Sequence, residues 1–223
     1  MTQPSEPVRD GQPFTLTTVS TILARSGTLG FLGSMPIEDQ LKHALGFRAA
    51  VEAQLQRPPE SFLDLGTGGG IPGLVLASAW PECRAVLFDA NDRRTSFLAS
   101  AVEALVRFRP VEVVRGRAEE AGHDTGLREQ FEVVTARSFG SPAVTAECAA
   151  PLVRRGGLIV VSEPPDGDGA GRWPSEGLVS LGLRPMTTSR FEDRFGYQVL
   201  EKVEETSDRY PRRVGIPTKR PLF

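Results

Sequence analysis

Phe62-Leu-Asp-Leu-Gly-Thr-Gly-Gly-Gly-Ile-Pro-Gly73 is the segment that most restricts what this chain can fold into. An apolar run enters it, five glycines fall between positions 66 and 73, and an apolar helical stretch leaves it. Glycine accepts positive φ and lets the backbone approach a ligand closely. Amides at the start of the following helix favour anionic or acceptor groups. Strand, glycine turn and helix in that order form the context in which nucleotide-type cofactors bind.

The rest of the chain repeats this alternation. Short apolar runs predict strands at Ser61–Leu65, Ala85–Phe88, Val111–Val114, Phe131–Thr135 and Leu158–Ser162, with helical stretches between them. The clearest helix is Arg94–Val106, where Phe97, Leu98, Ala101, Val102 and Leu105 share one face. Strand–helix–strand repetition implies right-handed crossovers and a parallel sheet covered on both sides. Arg184–Arg190 and Tyr197–Val203 follow closely on one another and predict an antiparallel hairpin that ends the sheet. The polar stretch Pro164–Gly177 reads as a loop.

Ahead of the sheet, Val19, Ile22 and Leu23 predict a short helix closed by Gly27. Ser34 is expected to cap a second helix, carried by Ile37, Leu41, Leu45 and Val51 to Leu55 and stopped by Pro58-Pro59. Three regions result: an N-terminal helical extension (1–58), an α/β domain (59–208) and a basic tail (209–223).

The 26 Lys and Arg against 28 Asp and Glu exclude a uniformly basic nucleic-acid coat. They leave room for a local patch, and the tail holds five basic and no acidic residues. Met1–Asp10 is polar, without the apolar core of a secretory signal, and no apolar run approaches a membrane span. Cys83 and Cys148 lack paired spacing, so neither a disulfide nor a metal site is expected. A cytoplasmic monomer with reduced thiols is the expectation.

Gly68, Gly70 and Gly73 satisfy a dinucleotide fingerprint, with Asp89 placed to meet a ribose, so a nicotinamide oxidoreductase is one reading. S-adenosylmethionine is the other. Asp64 suits a cofactor bearing an ammonium and a sulfonium but would repel a pyrophosphate, and the turn already begins at Gly66. A ligand-free turn, with Asp64 as a helix-capping carboxylate, is the third. Catalytic bases are scarce: His43 and His123 are the only histidines, and neither stands beside a nucleophile. An acceptor with a free lone pair, such as guanine N7, needs positioning rather than deprotonation. Arg137 follows the fourth strand, where its fork would meet a cofactor carboxylate or a base edge. Glu119 is placed to approach an adenine amino group.

These pieces resemble the bacterial small-subunit rRNA guanine-N7 methyltransferases, the glucose-inhibited division protein B family. The resemblance rests on 63–74, Leu87-Phe-Asp-Ala-Asn-Asp-Arg-Arg94 with Phe97-Leu98, Gly116-Arg-Ala-Glu-Glu120, Val134-Thr-Ala-Arg137, 152–158 and the tail Arg209-Tyr-Pro-Arg-Arg-Val-Gly-Ile-Pro-Thr-Lys-Arg-Pro221. It implies a Rossmann-like class I methyltransferase: a seven-stranded, mostly parallel sheet with an antiparallel final strand and helices on both faces. It implies S-adenosylmethionine held by Asp64, Gly66, Gly68, Gly70, Ile71, Asp89, Ala90, Asn91, Ala118, Glu119 and Arg137, with Arg137 also catalytic. It implies methyl transfer to N7 of a guanine in 16S rRNA or the small ribosomal subunit, with Arg209, Arg212, Arg213, Lys219 and Arg220 on RNA. Two places depart from the family. Ser162-Glu163 stands where a Lys-Gly is usual, and Gln40 and His43 stand where the N-terminal helix usually carries a His and, three residues on, an Asp. A divergent paralogue acting on another RNA or a small molecule, and a non-catalytic RNA-binding factor, are the competing readings.

Overall fold

The computed structural model describes residues 12–103, 105–106, 111–164 and 171–223. In chain order these form β1 (Gln12–Pro13), α1 (Leu16–Thr28), α2 (Ile37–Leu55), β2 (Ser61–Leu65), α3 (Gly73–Ala79), β3 (Arg84–Asp89), α4 (Asp92–Glu103) and β4 (Leu105–Val106). There follow β5 (Val111–Arg115), α5 (Ala118–Ala121), β6 (Phe131–Ala136), α6 (Pro142–Ala149), β7 (Val153–Glu163), α7 (Ser175–Val179), β8 (Leu183–Phe191), β9 (Phe195–Lys202) and α8 (Ile216–Lys219).

Seven strands make one sheet in the order β5-β3-β2-β6-β7-β9-β8. The pairs from β5 to β7 are parallel, and β9 runs antiparallel to both β7 and β8. The final hairpin is as the sequence predicts, with β9 inserted between β7 and β8. β2, β3 and β6 are almost wholly buried, as strands covered on both faces must be. From β2 the chain first builds outward to β5, then returns to add β6 on the other side. That reversal opens a crevice at the carboxyl ends of the strands, the usual ligand position in such sheets.

The two N-terminal helices share the sheet's core. Phe47, Ala50 and Val51 of α2 cluster with Phe62, Val133, Val160 and Tyr197. Val19, Ile22 and Leu23 of α1 join Leu74, Val75, Leu87 and Leu98. On the opposite face Leu63, Leu65, Val134 and Ile159 pack with Ala146 and Ala149 of α6 and with Tyr210 from the C-terminal segment.

Three local expectations change. Pro36, not Ser34, occupies the N-cap of α2 and makes no side-chain cap bond. Gln40 holds the helix entry instead, donating from Nε2 to the carbonyls of Met35 at 2.8 Å and Gly33 at 3.3 Å. The helix expected over Arg94–Val106 runs from Asp92 to Glu103. Leu105 and Val106 leave it to pair in parallel with Gln12 and Pro13, a long-range partnership that local periodicity cannot show. Within the expected loop at 164–177, α7 begins at Ser175, and residues 165–170 lie outside the described residues, as does Met1–Asp10.

The C-terminal segment is fastened to the body by a buried ion pair. Glu147 of α6 is fully buried, and its carboxylate accepts from the Arg212 backbone amide at 2.8 Å, Nε at 2.9 Å and Nη2 at 2.7 Å. Removing one partner of such a pair leaves an uncompensated charge. Arg212→Ala is therefore expected to lower unfolding stability by about 3–5 kcal/mol, seen as a lower urea midpoint at unchanged slope.

Candidate active site

The glycine turn is held from behind by a carboxylate. Asp64, at the end of β2, is fully buried. Its Oδ2 accepts the Gly73 amide at 2.8 Å, and its Oδ1 accepts the Thr135 hydroxyl of β6 at 2.8 Å. Burial raises its pKa to about 6, against the opposing pull of these donors and of the Arg137 charge. Each Asp64 oxygen thus has one protein donor, and the residue caps α3, the capping role that the sequence also allowed. Gly70 and Ile71 pack against the helices behind the turn. Gly70 has φ +104° and packs where a Cβ would strike Leu74 and Leu98, and Ile71 belongs to the α1–α3 core. Gly69 lies against α1, with its carbonyl accepting from Ser26 Oγ at 2.9 Å.

In front of the turn is a cleft of about 200 Å³ at the ends of β2, β3 and β5. Of the predicted residues, Gly66, Asp89, Ala90, Ala118 and Glu119 line it. Gly66 has φ +70°, and a Cβ there would strike the ring of Phe139. Gly68 has φ +57° and open space where a Cβ would stand, since its nearest neighbours are at 3.9 Å.

Asp89 ties the cleft together, its Oδ2 accepting the Gly68 amide and its Oδ1 the Asn91 amide, both at 2.8 Å. A carboxylate offers about four lone-pair positions. Two thus remain for a vicinal diol such as a ribose. Asn91 itself caps α4, its Oδ1 accepting the Arg94 amide at 3.2 Å, and does not line the cleft. Such a cleft, smaller than the roughly 300–1,000 Å³ of pockets that enclose a whole drug-sized ligand, suits one end of a nucleoside cofactor.

Arg137 stands apart, just past β6. Nη1 donates to Gln40 Oε1 at 3.2 Å, and the guanidinium lies within electrostatic reach of Asp64, His43 and Tyr197. His43 of α2 is 8% exposed, stacks on Phe195 with centroids 4.9 Å apart, and leaves Nδ1 without a partner. Burial, reinforced by the Arg137 charge, pushes its pKa down to about 4, so the ring is neutral at pH 7. Tyr197, whose hydroxyl donates to the His43 carbonyl at 2.7 Å, is pushed up by burial.

The sequence reading named Gln40 and His43 only as departures from the family and did not place Tyr197, Phe139, Val144, Cys148 or Thr218 at the site. One signal was available: Gln40 and His43 fall three apart, on the face of α2 that also carries Ala44, Phe47 and Val51. Cys148 lines the cleft with its thiol pushed up by burial. Arg212, expected on RNA, is instead engaged by Glu147, whereas Arg209, Arg213, Lys219 and Arg220 are exposed. Glu163 of the departing Ser162-Glu163 pair binds Arg172 and accepts the Trp173 indole N–H at 2.8 Å, anchoring the chain where it returns toward α7.

The family described as rRNA small subunit methyltransferase G (GidB) matches residues 39–163. The chain belongs to this family. It is 33% identical over 172 residues to Ribosomal RNA small subunit methyltransferase G of Leuconostoc citreum, covering 75% of this chain and 72% of that one. The protein of the same name from Roseiflexus sp. is 36% identical over 169 residues, covering 74% and 71%. In fold it is similar to an O-methyltransferase from Bacillus cereus solved with S-adenosylhomocysteine, at TM-score 0.58 and 16% identity, covering 83% and 91%. Membership of the family makes the protein a methyltransferase, its fold is that of the class I enzymes, and the nicotinamide reading falls away. Within a methyltransferase G frame, Gln40 and His43 occupy the space beside Arg137 as a neutral pair.

A pH dependence follows. His43 binds a proton in the unfolded chain near pH 6.5 but in the folded one only near pH 4. Between those values the unfolded state holds more protons, so stability falls as pH drops from 6.5 toward 4. His43→Asn is expected to remove a loss on the order of 3 kcal/mol across that window, read from urea unfolding at stepped pH.

Proposed function

We propose that the protein transfers the methyl group of S-adenosylmethionine to N7 of a guanine in small-subunit rRNA, acting as a cytoplasmic monomer. Family membership supports the rRNA substrate. One observation carries the choice of acceptor atom: among the described residues around Arg137, no group is poised to take a proton. Asp64 is enclosed by its donors, His43 is held neutral and weakly basic, and the Tyr197 hydroxyl is raised and donates to a carbonyl. Guanine N7 presents a lone pair and carries no proton to remove.

When bound, the cofactor supplies an electrophilic methyl on a positively charged sulfur. The chain's own residues then do three things. Asp89 receives the ribose diol on its two spare lone-pair positions, while its other two hold the Gly68 and Asn91 amides. Gly66 and Gly68 bring backbone close to the cofactor without a Cβ in the way. Arg137, oriented by Gln40 Oε1, offers its remaining donors to the cofactor carboxylate or to the acceptor base. Holding donor and acceptor in line is the main source of rate in such a site. No described helix is long and apolar enough to cross a membrane, which fits a reading in the cytoplasm.

A divergent acceptor is the second reading. The neutral Gln40–His43 pair beside Arg137 favours it, because the family usually carries His and Asp there. Labelled methyl transfer onto undermethylated small subunits, followed by nucleoside analysis, decides between them. 7-Methylguanosine supports the proposal. Label on a different nucleoside or on a metabolite alone overturns it.

Two sets of variants test the assigned roles. Asp89→Ala is expected to weaken S-adenosylhomocysteine binding at least ~10-fold in calorimetry, since it removes charge-assisted bonds and frees the Gly68 amide. Arg137→Ala is expected to lower kcat about 100-fold, the cost of misplaced reactants, while RNA still binds. For the tail, replacing Arg213, Lys219 and Arg220 together by Ala is expected to reduce the slope of log affinity against log salt by about 2, because each phosphate neutralised on a single strand adds ~0.7 to that slope. An unchanged slope removes the tail from the RNA interface.

A further inference from the structure

The C-terminal segment does more than present cations. Thr218, in α8, lines the same cleft as Gly66, Asp89 and Glu119, although it lies about 130 residues beyond Asp89 in a stretch set aside for RNA. We propose that this segment is a wall of the cofactor site, with Thr218 as a positioning residue for the nucleoside end of the bound cofactor. The inference rests on the methyltransferase reading for the identity of that cofactor.

Three interactions bring the segment to this place, and each ends on or beside an element that shapes the cleft. The Gly215 amide donates to Glu119 Oε1 at 2.9 Å, and Glu119 is a lining residue. Gly215 has φ +79°, a left-handed conformation that turns the chain into α8. Arg212 closes on Glu147, whose neighbour Cys148 lines the cleft from α6. His123 Nε2 lies 2.8 Å from the Pro211 carbonyl, just after α5. Pro217 is buried beside these anchors, while the adjoining Lys219 and Arg220 are exposed. One short helix thus faces the cleft with Thr218 and solvent with Lys219.

The assignment to the nucleoside end follows from the company Thr218 keeps. Asp89 carries the spare lone pairs suited to a ribose diol. Ala118 and Glu119 follow β5, on the far side of β3 from β6 and Arg137. A cleft of about 200 Å³ takes that end and not the whole cofactor. Glu119 is also accounted for differently from the sequence expectation. One of its oxygens is engaged by the Gly215 amide, so it holds the wall in place as well as facing the cleft.

Hydrogen exchange with and without saturating S-adenosylhomocysteine tests this on the full wild-type chain. Slower exchange of the amides at 215, 216, 218 and 219, together with those at 66–70 and 89–91, is the expected result. Protection at the glycine turn and Asp89 with none at 215–219 overturns the proposal. No binding by the wild-type chain fails the methyltransferase reading instead, and is seen first in the same titration. Thr218→Trp, at an exposed position where a bulky ring enters the cleft, is expected to weaken S-adenosylhomocysteine at least tenfold with the ligand-free melting temperature unchanged. Thr218→Ser is expected to stay within about twofold of wild type. Wild-type affinity in Thr218→Trp also overturns the proposal.

Discussion

A carboxylate without water organises this molecule. Asp64 sits near the carboxyl end of β2 with no solvent exposure, and an isolated charge there would be costly. Its position is tolerable because Gly73, Thr135 and the nearby Arg137 charge surround it. Those same partners fix the start of α3, the pairing of β2 with β6 and the placement of Arg137. Gly73 must be glycine here because a Cβ would stand 2.7 Å from Asp64 Oδ2 and 2.3 Å from a Leu87 methyl.

Around that centre the site divides into two chemically different halves. The half built on Asp89 and Glu119 is a small cleft edged by carboxylates and backbone, able to accept hydroxyl and amino donors. The half built on Arg137 and the N-terminal helix is cationic, with a neutral imidazole and an amide as its immediate neighbours. Both halves lie at the carboxyl ends of the strands, near the switch point of the sheet. The helices ahead of the sheet are part of this arrangement, since His43 and Gln40 are delivered by α2 and the turn at Gly69 rests on α1.

Charge is distributed to the same end. An acidic body and a basic tail are joined by internal pairs, so the tail is neither free nor uniformly available. Glu147 pairs with Arg212 and so fastens the segment that carries Arg213, Lys219 and Arg220. Far from the site, Glu132 ties Arg57 and Arg154 at the amino ends of the strands. Burial raises its pKa, but these cations and the Glu60 amide outweigh that and bring it to about 2.

Local pattern was enough to read the sheet: continuous apolar runs mark β2, β3 and β6, and turn glycines mark the ligand end. The position of Asp89 at the cleft was legible because it depends on a strand ending, which sequence shows. Gly66, Ala90 and Ala118, which line the same cleft, were named as cofactor contacts only through the family resemblance. Asp64 illustrates the limit. Its identity and position were plain, but whether its carboxylate faces ligand or protein depends on Thr135, 71 residues away, and on the path of the backbone to Gly73. Leu105 and Val106 left their helix for a partner near the start of the chain. Arg212 and Arg213 are adjacent and chemically alike, yet one is fixed on a buried glutamate and the other is exposed. Thr218 carries no sequence signal of its own. The sequence by itself determined the periodicities and the turn chemistry, because those act between residues a few positions apart. Only the tertiary structure decided which charges are neutralised and which residues share the cleft, because burial and long-range pairing exist only once the chain has closed on itself.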